Sequence, residues 1–136
     1  MEYSVANEKA VKYLAVSMRT EYEVKQKLIK LGCEPEIYHE VLNHLKDLGY
    51  IDDDKYIQAF FRQNIKLPKY SVYELTSKLK QKGIASTLID EFREKINNTD
   101  YEKNIVKKII EKKNKLGEDE LKIKAYLYRR GFNNWQ

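Results

Sequence analysis

The stretch Ser71–Ile84, SVYELTSKLKQKGI, carries a helix start, a helix face and a helix stop in one short segment. Ser71 with Glu74 makes a capping box, in which hydroxyl and carboxylate each accept a first-turn N–H. Leu75 and Leu79 stand one turn apart on one face, and Gly83 supplies the left-handed residue that ends a helix. The same pattern occurs on either side. Val24-x3-Leu28-x3-Gly32 precedes it and Ile123-x3-Leu127-x3-Gly131 follows it, with the glycines 51 and 48 residues apart. After Gly32 the apolar residues Ile37, Val41 and Leu45 fall at +5, +9 and +13, and after Gly83 Leu88, Phe92 and Ile96 do the same. The residue after each glycine is apolar as well: Cys33, Ile84 and Phe132. One glycine-ended helix says nothing, but three with matched offsets predict a repeat of about fifty residues.

Working outward, further start signals divide the chain. Thr20 with Glu23 and Thr99 with Glu102 read as capping boxes, Pro35 as a first helical residue, Asp52 as an N-cap and Pro68 as a stop. With a first helix over about residues 4–18 and a last over about 118–130, eight helices are expected, joined by short loops. The fold class is all-α: tandem three-helix repeats over residues 1–50, 51–98 and 99–136. The third helix of the last repeat would begin near Trp135, and the sequence stops at Gln136. The expectation is therefore a truncated chain whose third repeat lacks its last helix. Phe132 and Trp135 would then stand exposed, an end able to drive dimerisation.

Composition excludes several classes. At 136 residues, 42% hydrophobic and 12% aromatic, the chain can bury a core and does not read as disordered. Five Gly and two Pro are too few for a strand-and-turn architecture. One Cys excludes a disulfide framework and fits a reducing, cytoplasmic setting. No apolar run is long enough to span a bilayer, so no membrane partner is expected. The net charge is +5, and its distribution matters more than its size. Residues 1–100 balance 16 basic against 16 acidic residues, so the excess lies in residues 101–136, with ten Lys and Arg against five Asp and Glu. A basic end of this kind suits a nucleic acid or another polyanion.

The motifs that could carry chemistry are weak. HEVLNH (His39–His44) spaces its imidazoles at i+5, which turns them to different helix faces, where a zinc helix needs i+4. Counting a calcium loop from Asp52 puts Ile57 at the sixth position, where Gly is required, and Gln63 at the twelfth, where Glu is required. Cys33 follows a helix C-terminus, where the dipole opposes a thiolate. No phosphate-binding glycine loop and no nucleophile elbow occur. The expectation is a binding protein, with no enzymatic activity, cofactor, metal or small-molecule substrate. The aromatic residues Tyr56, Phe60, Phe61 and Phe92 fall on core faces, whereas Tyr126 and Tyr128 sit within the basic segment KIKAYLYRRGF. Lys124, Arg129 and Arg130, with Tyr126, are the principal candidates for contacting a polyanion, and Lys25, Lys27 and Lys82 the weaker ones. Replacing Lys124, Arg129 and Arg130 by Ala is expected to weaken binding without unfolding the chain.

GYIDDDKYIQAFFRQ (Gly49 to Gln63), followed by SVYELTSKLKQKGI, resembles the RecX regulatory proteins of bacteria. TEYEVKQKLIKLG (Thr20 to Gly32) and YLYRRGF (Tyr126 to Phe132) match the flanking repeats, so the resemblance covers roughly residues 8–134. It implies an elongated, curved body of three helix triplets. It also implies a regulator in recombination, DNA repair and the SOS response, binding the RecA filament and mainly inhibiting its ATPase and strand exchange. Contact with single- or double-stranded DNA is a further implication. The departure from the family pattern is the missing last helix. Two other readings stay open. A helix-turn-helix DNA-binding protein would bind specific sequences without RecA, though no second helix carries a plausible base-reading set of Asn, Gln and Arg. A helical-repeat adaptor would bind with little salt dependence.

Overall fold

A computed structural model describes residues 1–133. Its helices are α1 (Tyr3–Val16), α2 (Glu21–Lys30), α3 (Pro35–Asp47), α4 (Asp53–Lys66), α5 (Val72–Gln81), α6 (Ser86–Asn97), α7 (Tyr101–Lys115) and α8 (Glu120–Arg129). Among the described residues there is no strand. The start signals act largely as the sequence implies. Glu23 N donates to Thr20 Oγ1 at 3.1 Å while Thr20 N donates to Glu23 Oε1 at 3.0 Å, the reciprocal pair of a capping box. Ser71 and Glu74 do the same at 3.0 and 2.9 Å. Asp52 accepts from Lys55 N at 3.1 Å, and Pro35 opens α3.

Thr99 and Glu102 depart from expectation. The N-cap of α7 is Asp100, and the Thr99 hydroxyl donates to Ile96 O at the end of α6. Glu102, only 2% exposed, accepts from Val72 N at 3.0 Å. That N–H is one of the unpaired donors in the first turn of α5, so a long-range partner takes the carboxylate that local spacing assigned to a cap.

The chain divides into two compact units. The first holds Met1–Gln58 with Lys82–Ile84, and the second holds the remaining described residues. In the first, α1, α2 and α3 pack pairwise around Ala6, Ala10, Val24, Leu28, Tyr38, Val41, Leu42 and Leu45. Ala6 and Ala10 are fully buried, and their small side chains let the neighbouring helices come close to α1. In the second unit α5 packs on α6, α6 on α7 and α7 on α8. The Phe60 and Phe61 rings, half-buried, lie 5.7 and 6.0 Å from that of Phe92, which is buried.

The repeat is present in the structure, with a shift in its inner face. Helices α2, α5 and α8 are each 10 residues long, and each is followed by a positive-φ glycine, Gly32, Gly83 or Gly131. After the first two glycines the deeply buried residues are Tyr38 and Ile89, one later than Ile37 and Leu88, which are only half-buried. Leu31 and Leu48, apolar by pattern, are 37% and 52% exposed. Phe132 is 3% exposed, which corrects the expectation of an uncovered apolar end there. Trp135 lies outside the described residues.

Candidate polyanion-binding site

The basic excess of the last segment gathers on α7 and α8. Lys113, Lys122, Tyr126 and Arg129 line one cleft of about 610 Å³, together with Gly117, Glu118, Asp119 and Ala125. Lys122, Tyr126 and Arg129 share a face of α8, at spacings of three and four residues. Lys113 reaches the cleft from the end of α7, where its Nζ lies 3.9 Å from the centre of the Tyr126 ring and 3.2 Å from Glu118 Oε2. Lys122 and Arg129 are exposed, and among the described residues neither enters an ion pair. Such an arrangement suits phosphates or carboxylates arriving from solvent, with two uncommitted cations and one anchored one.

The other candidates have different surroundings. Lys124 points to the opposite side of α8, beside Ile110, Asn114, Ile123 and Leu127, and pairs with Glu120 at 3.4 Å in an exposed contact one turn away. Such a pair is weak and leaves the ammonium available. Tyr126 is half-buried: one ring contact is taken by Lys113, and its hydroxyl accepts from Arg130 Nη1 at 3.1 Å. It is a wall of the cleft rather than a free stacking platform. Tyr128 is 83% exposed. Lys25 and Lys27, in the first unit, are half-buried with their Nζ atoms 5.7 and 5.5 Å from the ring centres of Tyr38 and Tyr13.

Arg130 and Lys82 are engaged within the protein. Arg130 Nη2 donates to Glu74 Oε1 at 3.0 Å and to Lys69 O at 2.8 Å, and its guanidinium lies 5.1 Å from the Phe132 ring centre. Burial alone would lower the Arg130 pKa, but hydrogen bonds and charge from Glu74 and Tyr126 outweigh it and raise it. On Glu74, burial acts upward. The Ser71 N–H and Arg130 outweigh it and hold the carboxyl below its ordinary value. Lys82 Nζ lies 3.3 Å from Glu23 Oε2, and Tyr56 and Glu23 raise its pKa against the opposing effect of burial. An Arg130→Ala change therefore removes internal contacts as well as surface charge.

The remaining motifs stay peripheral. His39 and His44 are exposed on α3, their rings 4.6 and 6.4 Å from those of Tyr38 and Tyr3. Among the described residues no three His, Cys, Asp or Glu gather as a metal site. Cys33 is 7% exposed, and burial pushes its thiol pKa up. No helix of the described residues is long and apolar enough to cross a membrane. Sequence reasoning counted Lys113 and Lys122 in the charge excess but gave them no place. The signal that links them is the short turn between α7 and α8, which folds the two residues toward one cleft.

Taken together, the architecture defines an all-α protein of tandem helical repeats carrying a basic cleft on its last two helices. Residues 6–45, spanning most of α1–α3, match the family described as RecX, first three-helix domain. The chain is 33% identical over 135 residues to the regulatory protein RecX of Streptococcus sanguinis (strain SK36), covering 97% of this chain and 52% of that relative. Its fold is similar to a crystal structure of regulatory protein RecX, with TM-score 0.81 and 23% identity over 96% of this chain and 68% of the other. A crystal structure of RecX from Lactobacillus salivarius gives TM-score 0.80 and 24% identity over 96% and 88%. The chain belongs to the RecX family. It spans about half the length of the curated relatives it matches.

Proposed function

We propose that this chain acts in the cytoplasm as a non-enzymatic regulator of the RecA recombinase filament. In this reading it mainly restrains ATP hydrolysis and strand exchange during recombination and DNA repair. The observation that carries the reading is the match, over 97% of the chain, to a protein named regulatory protein RecX. The basic cleft supplies a physical means. A RecA filament on single-stranded DNA is a polyanion, and Lys122, Arg129 and Lys113 together offer three cations to phosphates or to acidic protein surface. Lys124 adds a fourth on the opposite side of α8. Lys25 and Lys27 are weaker contributors, because each is partly occupied by a tyrosine ring. Engagement by the cleft would hold the chain on the filament while its other surfaces oppose the subunit motion that hydrolysis requires.

The test is RecA ATPase on single-stranded DNA with the chain titrated in, at two salt concentrations. Three phosphate contacts on single-stranded DNA imply a slope of about −2 in log affinity against log salt. A fourfold rise in salt should then weaken inhibition by roughly 15- to 20-fold. Unchanged hydrolysis at stoichiometric amounts of the chain would contradict the reading.

A further inference from the structure

One set of contacts occurs twice, once in each compact unit. Thr20 Oγ1, besides capping α2, donates to Lys82 O at 2.7 Å, and Ser71 Oγ, besides capping α5, donates to Arg130 O at 2.6 Å. Glu23 and Glu74, the box carboxylates, pair with Lys82 and Arg130. Tyr22 and Tyr73 lie against Gly83 and Gly131, so that a Cβ on either glycine would collide with the ring or its Cβ. A second carboxylate then accepts the first N–H of the helix: Asp53 from Glu21 N and Glu102 from Val72 N, both at 3.0 Å. The residue after each glycine, Ile84 or Phe132, is buried.

We propose that these contacts form a repeated latch, in which a basic–Gly–apolar turn seats in a socket of Ser or Thr, Tyr and Glu. In this assignment Lys82 and Arg130 are positioning residues of the latch, and contact with a polyanion falls chiefly to Lys113, Lys122, Arg129 and Lys124.

The chemistry of the hydroxyl explains the socket. Only a group that donates and accepts at once can cap the helix and hold the turn carbonyl. Thr20 and Ser71, both fully buried, do both. The start of α8 has Asp119 there, which accepts from Leu121 N and as a carboxylate has no proton to donate. At the same position in the repeat, Tyr and Glu are replaced by Leu121 and Lys122. On the turn side, the place held by Lys82 and Arg130 is Leu31 before Gly32, and a Cβ on Gly32 would meet nothing within 4 Å. The Ser or Thr, Tyr and Glu of the socket therefore occur together at α2 and α5, where each set meets a basic–Gly–apolar turn. Coincidental surface ion pairs would have no reason to recur with the same hydroxyl, ring and carboxylate at matched positions.

The test reads the same variants in two ways, by thermal unfolding and by RecA inhibition. Arg130→Glu should lower the unfolding midpoint by roughly 5 °C or more and weaken inhibition, whereas Arg130→Lys keeps a cation for Glu74 and should retain at least half of both. With Glu74→Gln already in place, which keeps an acceptor for the Ser71 N–H, Arg130→Glu should cost markedly less, because the pair is already broken. Arg129→Glu should weaken inhibition with the midpoint unchanged. Lys82→Arg installs the residue used by the other latch and should leave the midpoint within about a degree or two. A midpoint untouched by Arg130→Glu, or Arg130→Lys as damaging as Arg130→Glu, would overturn the proposal. The unfolding readout needs no RecA, so these midpoint shifts in a chain without effect on RecA would sustain the latch and defeat only the proposed function.

Discussion

Replacing Gly83 by Ala should destabilise the chain markedly more than replacing Gly32. Both glycines sit at positive φ, +73° and +85°, where an alanine costs about 1–2 kcal/mol of backbone strain. At Gly32 that is the whole cost, because a new methyl meets nothing within 4 Å. At Gly83 the methyl would overlap Tyr22 Cβ and Cγ, and neither is the far end of a flexible side chain. Forced displacement of this kind adds about 1–3 kcal/mol. At roughly 3–5 °C per kcal/mol for a chain of this size, the two midpoints should separate by about 3–15 °C in a far-UV circular dichroism melt. The same comparison in a Tyr22→Ala background should close the gap, since the overlap is then largely gone. Equal losses at the two glycines, or a gap that survives Tyr22→Ala, would refute the reasoning.

Three other predictions follow from the same geometry. Burial raises the Asp53 pKa against the hydrogen bond from Glu21 N, so its negative charge disfavours folding as pH rises. Asp53→Asn keeps an acceptor and should raise the midpoint at neutral pH, with the gain vanishing below the ordinary aspartate value of 3.8 in a pH series of melts. Glu74 is shifted the other way, so its contribution is present above the ordinary value of 4.5 and is lost as pH falls through its lower folded value. The stability difference between wild type and Glu74→Gln should accordingly shrink in acid. Leu28 is fully buried in the core of the first unit, and Leu28→Ala should cost about 2–5 kcal/mol in urea unfolding.

Helices α2, α5 and α8 were legible in the sequence because cap, apolar stripe and terminal glycine are all local signals that agree with one another. The inner face was legible only to within one residue: +5 was marked by Ile37 and Leu88, whereas Tyr38 and Ile89 turn fully inward. Glu102 satisfied the spacing of a capping box, yet Val72 N, 30 residues away in sequence, holds its carboxylate. Spacing cannot report that kind of competition. The cleft was half legible. Arg129 and Tyr126 lie on a recognisable helical face, but Lys113 joins them through a turn whose geometry the charge count does not contain. Arg130 read as one more surface cation, because the hydroxyl and carboxylate that engage it lie 59 and 56 residues upstream.

The most direct measurement is co-sedimentation of the chain with preformed RecA filaments on single-stranded DNA. The account predicts that the wild-type chain pellets with the filament, that Lys122→Glu with Arg129→Glu remains in the supernatant while melting normally, and that Lys25→Ala pellets like wild type. Pelleting of the Lys122→Glu, Arg129→Glu chain at wild-type levels would contradict the central claim.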